Sequence, residues 1–316
     1  MTAGLMAEGE GPGLTCGVAA LAGRPNVGKS SLVNALLKVR AVIVSPKPQT
    51  TRNAVRCVYN DDRAQIILTD TPGLYRPRDG DRLGRFLTDS AAGALADADV
   101  ACWLVEAGDR ELRAEDHEAA RVLAGSKLPI VLTANKSDMA DPAGAFALYE
   151  GLWAGLAERP FAARVAVSAK LGRGLDEFID RLLPLLPQGT PWYDPEILMD
   201  STERFMAAEV IRGKALSLLR DEVPHCTAIE IEDYKSPEEY PDRKRLYVRA
   251  SLVVETEGQK AIVIGAGGKM IKRIGRSARA ELEELTGWPV YLELWVKVSP
   301  HWRQNEAALR RLGYGT

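Results

Sequence analysis

The stretch Gly23-Arg24-Pro25-Asn26-Val27-Gly28-Lys29-Ser30 decides the fold of this chain. It matches the pattern G-x-x-x-x-G-K-[ST], follows the apolar run 17–21 and opens a helical pattern over 29–38. A strand, a glycine-rich turn and a helix in this order are the context that makes the pattern specific for a phosphate-binding loop. The backbone N–H groups of such a turn wrap phosphates, and the helix N-terminus adds partial positive charge. The sequence therefore predicts a nucleotide-binding α/β domain.

The loop predicts individual roles as well. Lys29 is expected to reach the β- and γ-phosphates, and the hydroxyl of Ser30 is expected to ligate Mg²⁺. Together with Gly73 further along the chain, the expected phosphate-binding set is Gly23, Arg24, Pro25, Asn26, Val27, Gly28, Lys29, Ser30 and Ser31.

Two further segments complete the phosphate and metal site. Asp70-Thr-Pro-Gly73 follows the strand pattern 65–68, so Asp70 can hold a Mg²⁺-bound water and the Gly73 amide can meet the γ-phosphate. Between this motif and the phosphate loop lies the segment 48–52, Pro-Gln-Thr-Thr-Arg, where Thr51 is favoured over Thr50 to close over the γ-phosphate and complete the metal shell. The predicted metal ligands are thus Ser30, Thr51 and Asp70. We expect the loops 40–53 and 73–90, called here switch I and switch II, to be ordered by the triphosphate and released by hydrolysis.

The base is predicted by two short motifs, Asn135-Lys136-Ser-Asp138 after the strand pattern 130–133 and Ser168-Ala169-Lys170 after 165–167. An aspartate accepts hydrogen bonds from both N1–H and N2–H₂ of guanine, and adenine offers no such pair of donors, so Asp138 disfavours an ATPase. The stem of Lys136 can lie over the base, and the Ala169 N–H can donate to guanine O6. The expected guanine-binding residues are Asn135, Lys136, Asp138, Ser168, Ala169 and Lys170.

Length and composition limit the remaining classes. The chain has 316 residues, enough for two domains, and its net charge of -2 gives no general signal for nucleic acid. Its four scattered cysteines argue against disulfides or zinc, and its three distant histidines argue against a metal centre. No apolar run approaches the roughly 20 residues that span a bilayer, and the N-terminus lacks the pattern of a secretory signal.

Strand and helix patterns alternate over 15–186, which predicts a mostly parallel sheet covered on both faces. The run 54–68 reads as a hairpin and therefore as an antiparallel edge. We divide the chain into a flexible tail (1–14), a nucleotide-binding domain (15–187), a proline-rich linker (188–196) and a second, α+β domain (197–316).

The second domain has balanced charge, but its cations are concentrated. Lys269, Lys272, Arg273 and Arg276 are spaced for one helical face, and no acid interrupts 259–280. The turn Gly265-Ala266-Gly267-Gly268 precedes them. A turn with small side chains lets a phosphodiester backbone approach, and this is how the GxxG loop of a KH module holds single-stranded RNA. We expect these eight residues, 265–269, 272, 273 and 276, to bind RNA, and the isoleucines at 262, 264, 271 and 274 to lie mainly in the core.

The motifs GRPNVGKSS, PQTTR, DTPG, NKSD and SAK resemble those of translation-factor-like GTPases and specifically of the bacterial Era family. The resemblance extends over the linker and over the C-terminal order helix, strand, strand, helix, GxxG, helix, strand, which is similar to a type-II KH domain. It implies a P-loop GTPase domain, with one antiparallel edge strand, followed by a KH domain. One departure is that the family's lysine inside the GxxG turn is absent here, and the cation follows one step later as Lys269.

The resemblance also implies a function. It implies hydrolysis of GTP to GDP and phosphate, binding of the KH domain near the 3′ end of 16S ribosomal RNA, and action in assembly of the 30S subunit. Leu74 occupies the position of the water-orienting glutamine of Ras-like GTPases, so catalysis is assigned to Lys29, Thr51 and Asn26, with Asn26 helping to bind a K⁺ ion. We expect a cytoplasmic monomer that does not bind DNA and that can also contact the cytoplasmic side of the membrane peripherally. The alternative is a signalling switch whose second domain docks on a protein or, peripherally, on the inner face of the membrane.

Overall fold

The structure is a computed structural model that describes residues 14–45, 47 and 49–314. Most of the tail predicted over 1–14 lies outside these residues, and Leu14 already begins a strand. The described part of the chain forms two bodies, one built on a large sheet and one on a three-stranded sheet. Within the described residues, no helix combines the length and the apolar character needed to cross a bilayer.

The first body is a mostly parallel sheet with the spatial order β6-β5-β4-β1-β3-β2. The strands β3 and β5 are continuously buried, as expected where helices cover both faces. Side chains alternate between two cores: Ala19 and Leu21 pack with α1 and α5, whereas Ala20 and Ala22 pack with α2, α3 and α4. The strands are β1 Leu14–Ala22, β2 Val55–Asn60, β3 Ala64–Asp70, β4 Val100–Glu106, β5 Ile130–Asn135 and β6 Ala163–Ala166. The helices are α1 Lys29–Leu37, α2 Arg82–Ala96, α3 Ala114–Gly125, α4 Ala143–Ala154 and α5 Leu175–Leu182.

Two short segments, one in the linker and one just after it, add to this sheet, which corrects the expected edge. β7 (Gln188–Gly189) pairs antiparallel with β1, and β8 (Met199–Asp200) pairs antiparallel with β2. β2 is antiparallel to β3 as predicted, but it lies one position inside the edge because β8 covers it. The Gln65 carboxamide accepts from the backbone N–H groups of Trp192 and Tyr193 at 2.7 and 3.0 Å, which fixes the linker to the sheet.

Helix α2 was not predicted, because its sequence falls partly within the segment assigned to switch II. Asp81 caps the helix by accepting from the Gly84 N–H at 2.8 Å. On one face, Leu83 and Leu87 pack with Trp302 and Tyr314 of the second body. Switch II therefore continues into a helix that contacts the C-terminal domain.

The second body has the predicted α+β order. Its sheet runs β11-β10-β9, with β9 antiparallel and β11 parallel to β10. Thr202 caps the start of α6, where its hydroxyl oxygen accepts from the Phe205 N–H. The helices α6, α7 and α8 cover one face of the sheet around a core that includes Ile211, Val248 and Ile274. The elements are α6 Glu203–Leu218, β9 Ala228–Lys235, β10 Leu246–Val254, α7 Glu257–Ile264, α8 Lys269–Thr286, β11 Val290–Val298 and α9 Glu306–Arg311.

Candidate functional site

The carboxyl ends of β1, β3 and β5 and the turns that follow them surround a cleft of about 580 Å³. All four predicted nucleotide motifs contribute to its lining. Position 28 requires glycine, because its φ is 98° and a Cβ there would lie 2.3 Å from Nδ2 of Asn135. The residues expected at the nucleotide that line the cleft are Pro25, Asn26, Gly28, Lys29, Ser30, Ser31, Thr51, Gly73, Asn135, Lys136, Asp138, Ala169 and Lys170.

Lys29 is buried beneath the phosphate loop. Its ammonium donates to the backbone oxygens of Gly23 and Arg24, both at 3.0 Å. Burial lowers the Lys29 pKa to about 8. The ammonium is thus held at the centre of the loop, with the Asp70 carboxylate acting in the opposite sense on its pKa.

Two residues of the expected phosphate set do not present side chains to the cleft. The Arg24 side chain is 2% exposed and pairs with Asp109, and Val27 is fully buried in the core. Only their backbones remain available to phosphates. The reason is that the loop must be anchored on its protein side while its amides face the cleft.

The three predicted metal ligands lie together. The Ser30 hydroxyl donates to Oδ2 of Asp70 at 2.6 Å, the Thr51 hydroxyl donates to the same oxygen at 3.1 Å, and the two hydroxyl oxygens are 3.0 Å apart. Oδ1 of Asp70 is buried without a hydrogen-bond partner, and burial raises the pKa of this carboxyl. Two hydroxyls and a carboxylate with a free oxygen form a hard, oxygen-only donor set that fits Mg²⁺, which takes its remaining ligands from water and phosphate. In the described residues no cluster of His, Cys, Asp and Glu forms a separate metal centre.

The hydroxyl groups of Thr50 and Thr51 have different hydrogen-bond partners. The Thr50 hydroxyl donates to the Lys47 backbone oxygen at 2.6 Å, away from Ser30 and Asp70. Only the Thr51 hydroxyl joins the metal-ligand cluster. The pair therefore contains one residue with a site contact and one with a contact inside the loop.

Asn135 ties the base motifs to the phosphate loop. Its Nδ2 donates to the Val27 backbone oxygen at 2.9 Å, while its Oδ1 accepts from the Ala169 N–H at 3.1 Å. The Ala169 N–H was expected to donate to guanine O6, and in this structure it donates to Asn135 instead. Ser168 donates to Asp138 at 2.6 Å, and this bond is the main reason that the Asp138 pKa is lowered. An ionised carboxylate is the form that accepts two hydrogen bonds from guanine.

No glutamine-like group faces the cleft at the position after Gly73. The Leu74 side chain is fully buried in the core, and its N–H donates to the Gly23 backbone oxygen at 3.1 Å. Asn26 is exposed, lines the cleft and has a φ of 68°. Among the residues assigned to catalysis, Lys29, Thr51 and Asn26 all line the cleft.

The second candidate surface lies on α8. Gly267 and Gly268 have φ values of 59° and 75°, and a Cβ on Gly267 would have no neighbour within 4 Å, so the turn is open. Lys269, Lys272, Arg273 and Arg276 are all exposed, and among the described side chains none of the four forms a salt bridge.

A cleft of about 290 Å³ runs between α8 and the edge strand β11. It combines cations of α8 with Tyr291 and Leu294 of β11, which sequence reasoning missed because the cleft joins separate elements. Of the four isoleucines expected mainly in the core, Ile274 is fully buried and Ile271 lines this cleft, whereas Ile262 is 51% exposed. Ile262 is exposed because Val263 is the only residue of α7 that is fully buried.

Comparisons with known proteins agree with this architecture. Residues 18–136 match the model of a family described as 50S ribosome-binding GTPase, and residues 222–303 match the KH domain model. GTPase Era of Geobacter metallireducens is 40% identical over 94% of this chain and 97% of its own length. GTPase Era of Thermotoga maritima is 41% identical over 92% of this chain and 94% of its own.

Two solved structures cover the whole arrangement. A crystal structure of Era in complex with MgGDPNP and nucleotides 1506-1542 of 16S ribosomal RNA has a TM-score of 0.88, with 35% identity, 96% of this chain and 100% of that chain covered. A single-residue variant of Aquifex aeolicus Era bound to GDP.AlF4- has the same TM-score at 36% identity, again over 96% of this chain and 100% of that one. The nucleotide cleft, the KH fold and relatives matched along nearly their full length all agree, and this chain belongs to the Era family of GTPases.

Proposed function

We propose that this GTPase binds the 3′ end of small-subunit ribosomal RNA through its KH domain, that GTP gates this binding, and that the protein acts in assembly of the 30S subunit. The observation that carries the proposal is the accessible basic face of α8 beside an open GxxG turn and a cleft. The similar Era protein that was solved with nucleotides 1506-1542 of 16S ribosomal RNA supports the choice of RNA. We also propose the domain division stated above, with Leu14 and the residues of β8 added to the nucleotide-binding domain and the linker over 188–196 held on the sheet.

In the nucleotide cleft, Lys29 and the loop amides would hold the phosphates, and Asp138 would select guanine. When bound, Mg²⁺ would supply positive charge to the β- and γ-phosphates, held by Ser30, Thr51 and Asp70. Because the Leu74 side chain is buried and cannot orient a water molecule, catalysis would rest on positioning of the phosphates and on electrostatic stabilisation of the transition state. Asn26, exposed at the cleft, is the side chain proposed to help hold K⁺.

In the KH domain, the phosphodiester backbone would pass over the GxxG turn, and Lys269, Lys272, Arg273 and Arg276 would neutralise it. Bases would enter the cleft beside β11, where Tyr291 and Leu294 offer apolar contacts. The Lys269 contact is displaced by one position from the family's usual lysine, so Lys272 and Arg273 are the stronger candidates for phosphate contacts.

Gating is supported by contacts from switch I to the KH domain. Lys47 donates to the Leu216 backbone oxygen at 2.5 Å and also to that of Leu219, at the end of α6. Arg212 of α6 donates to the backbone oxygen of Thr50, the neighbour of the proposed metal ligand. A change in the conformation of switch I between the GTP and GDP states would therefore directly alter its hydrogen bonds to α6.

The proposal is tested by charge reversal on α8. Lys269→Glu with Arg273→Glu should weaken binding of a labelled 16S 3′-end RNA by about tenfold or more, as expected when phosphate contacts are lost. The matched control, Arg121→Glu with Lys127→Glu, makes the same change of net charge at and just beyond α3 and should leave RNA binding unchanged. Fluorescence anisotropy at fixed salt measures both variants, and GTP hydrolysis checks that the first domain is intact.

Equal loss in both variants would contradict a specific site, because it would show that only net charge matters. Retained RNA affinity in the α8 variant would contradict the placement of the RNA. Binding of the wild type to anionic vesicles, with no preference for this RNA over a scrambled one, would favour the peripheral membrane alternative.

A further inference from the structure

The buried Arg24 side chain belongs to a charged cluster below the nucleotide cleft. Its guanidinium makes two parallel bonds to Asp109, Nη1 to Oδ2 at 3.0 Å and Nη2 to Oδ1 at 2.9 Å. The Tyr149 hydroxyl donates to the same carboxylate at 2.9 Å, and Asp116 lies 3.5 Å from the guanidinium. All four side chains are at most 8% exposed. A two-pronged arginine–carboxylate pair fixes orientation as well as distance.

This cluster is joined to the base motif through one carboxylate oxygen. Oε1 of Glu106 lies 3.3 Å from Nη2 of Arg24 and 2.8 Å from Nζ of Lys136. Glu106 is the last residue of β4 and stands opposite Asn135 at the end of β5. A single acidic side chain therefore contacts both the phosphate loop and the lysine expected to lie over the guanine.

The contact matters because both partners need restraint. Lys136 is only partly buried, so its long side chain would otherwise sample many rotamers. Arg24 carries a backbone oxygen that accepts from Lys29, so a shift of Arg24 would move the phosphate-binding ammonium.

We propose that Glu106, acting with the Arg24–Asp109 pair, is a positioning residue that holds the phosphate loop and Lys136 in one rigid nucleotide site. It binds neither the phosphates nor the base. Glu106 stabilises the part of the site that binds the nucleoside diphosphate, which GTP and GDP share. It therefore raises the affinity for both nucleotides equally. This inference rests on the guanine-nucleotide site proposed above.

The test is Glu106→Gln, which keeps the size of the side chain and removes its charge. The Kd for fluorescently labelled GDP and for a GTP analogue should each rise about tenfold, a loss equivalent to one charge-assisted hydrogen bond. The KM for GTP should rise similarly, and kcat at saturating GTP should stay within about twofold, because uniform binding is lost. Glu150→Gln is the matched control, since it removes an exposed ion pair between Glu150 on α4 and Arg164 on β6 and should change neither constant.

A double-mutant cycle with Lys136→Met separates positioning from a general loss of stability. If Glu106 holds Lys136 as well as Arg24, the loss of GDP affinity caused by Glu106→Gln should be clearly smaller in the Lys136→Met background than in the wild type. Additive losses, an unchanged Kd in Glu106→Gln, or a fall in kcat with constant KM would each overturn the proposal. Failure of the wild type to prefer GDP over ADP would instead contradict the guanine site itself, so the two failures are distinguishable.

Discussion

Arg52 of switch I donates from Nη1 to the backbone oxygen of Thr227 in the KH domain at 2.7 Å. Its Nη2 reaches the His225 backbone oxygen at 3.2 Å, and its guanidinium lies 5.5 Å from the ring centre of Tyr314. The side chain is fully buried, and burial lowers the Arg52 pKa. Arg52 is thus fixed inside the second domain, and its neighbour in the chain is Thr51, the residue expected to close over the γ-phosphate. Because its partners are carbonyls and aromatic rings rather than carboxylates, this contact is suited to breaking and re-forming.

Arg52→Ala should uncouple the two domains. Without the guanidinium, the Thr227 and His225 oxygens lose their donor, which costs about 1–3 kcal/mol at a buried site. The ratio of RNA affinities measured with a GTP analogue and with GDP should move towards one, while the affinity for GTP stays within about threefold, an effect below about 1 kcal/mol. Fluorescence anisotropy and nucleotide titration measure both. Arg56→Ala, which removes an exposed pair with Asp97, is the control and should keep the wild-type ratio.

The two adjacent threonines give a matched pair of variants. Thr51→Ala removes the hydroxyl that contacts Ser30 and Asp70, so binding of a GTP analogue should weaken about tenfold and hydrolysis should slow, with GDP affinity unchanged. Thr50→Ala removes only the contacts of its hydroxyl within the loop, chiefly the bond to the Lys47 oxygen, and should preserve hydrolysis. Equal effects of the two changes would show that the hydroxyl position is not what matters.

Asp138→Asn should alter base selection. The asparagine presents an N–H₂ group where the carboxylate accepts from guanine, so the affinity for GTP should fall by about 10- to 100-fold. Xanthosine triphosphate, which carries an oxygen in place of the guanine amino group, should bind the variant better than GTP does. Competition against labelled GDP measures both, and unchanged preference for GTP would place base selection elsewhere.

Asn26→Ala tests the role proposed for potassium. If Asn26 helps to hold K⁺ at the phosphates, the wild type should hydrolyse GTP faster in KCl than in NaCl, and the variant should lose that difference. Phosphate release in the two salts, at equal ionic strength, is the measurement. Persistence of the full difference in the variant would remove Asn26 from this role.

Most of the fold follows from the sequence because its strands are buried, bounded by recognisable turns and followed by diagnostic motifs. The unexpected features have specific physical causes. Strands β7 and β8 have two residues each, too few to show periodicity. Helix α2 lies partly within the segment assigned to switch II, although Asp81 is an ordinary N-cap.

The candidate site was predictable where side chains of the motifs converge on the cleft, and less so where a side chain of a motif is buried away from the cleft against distant partners. The clustering of Ser30, Thr51 and Asp70 follows from their strand and loop positions. The burial of Arg24 and Arg52 could not be predicted, because arginine is usually a surface residue. Their hydrogen-bond acceptors also lie 85 and 175 residues away in the sequence. A carboxylate at the end of β4 was the one available signal for Glu106.

The central claim is that GTP gates binding of RNA to the KH domain, and the most direct test uses the unmodified protein. A labelled RNA matching the 3′ end of 16S ribosomal RNA would be titrated with a GTP analogue and with GDP, at fixed salt and beside a scrambled RNA. The account predicts sequence-preferring binding that is about 5- to 150-fold tighter with the analogue, the range of ordinary allosteric coupling. Equal affinity in the two nucleotide states would contradict it.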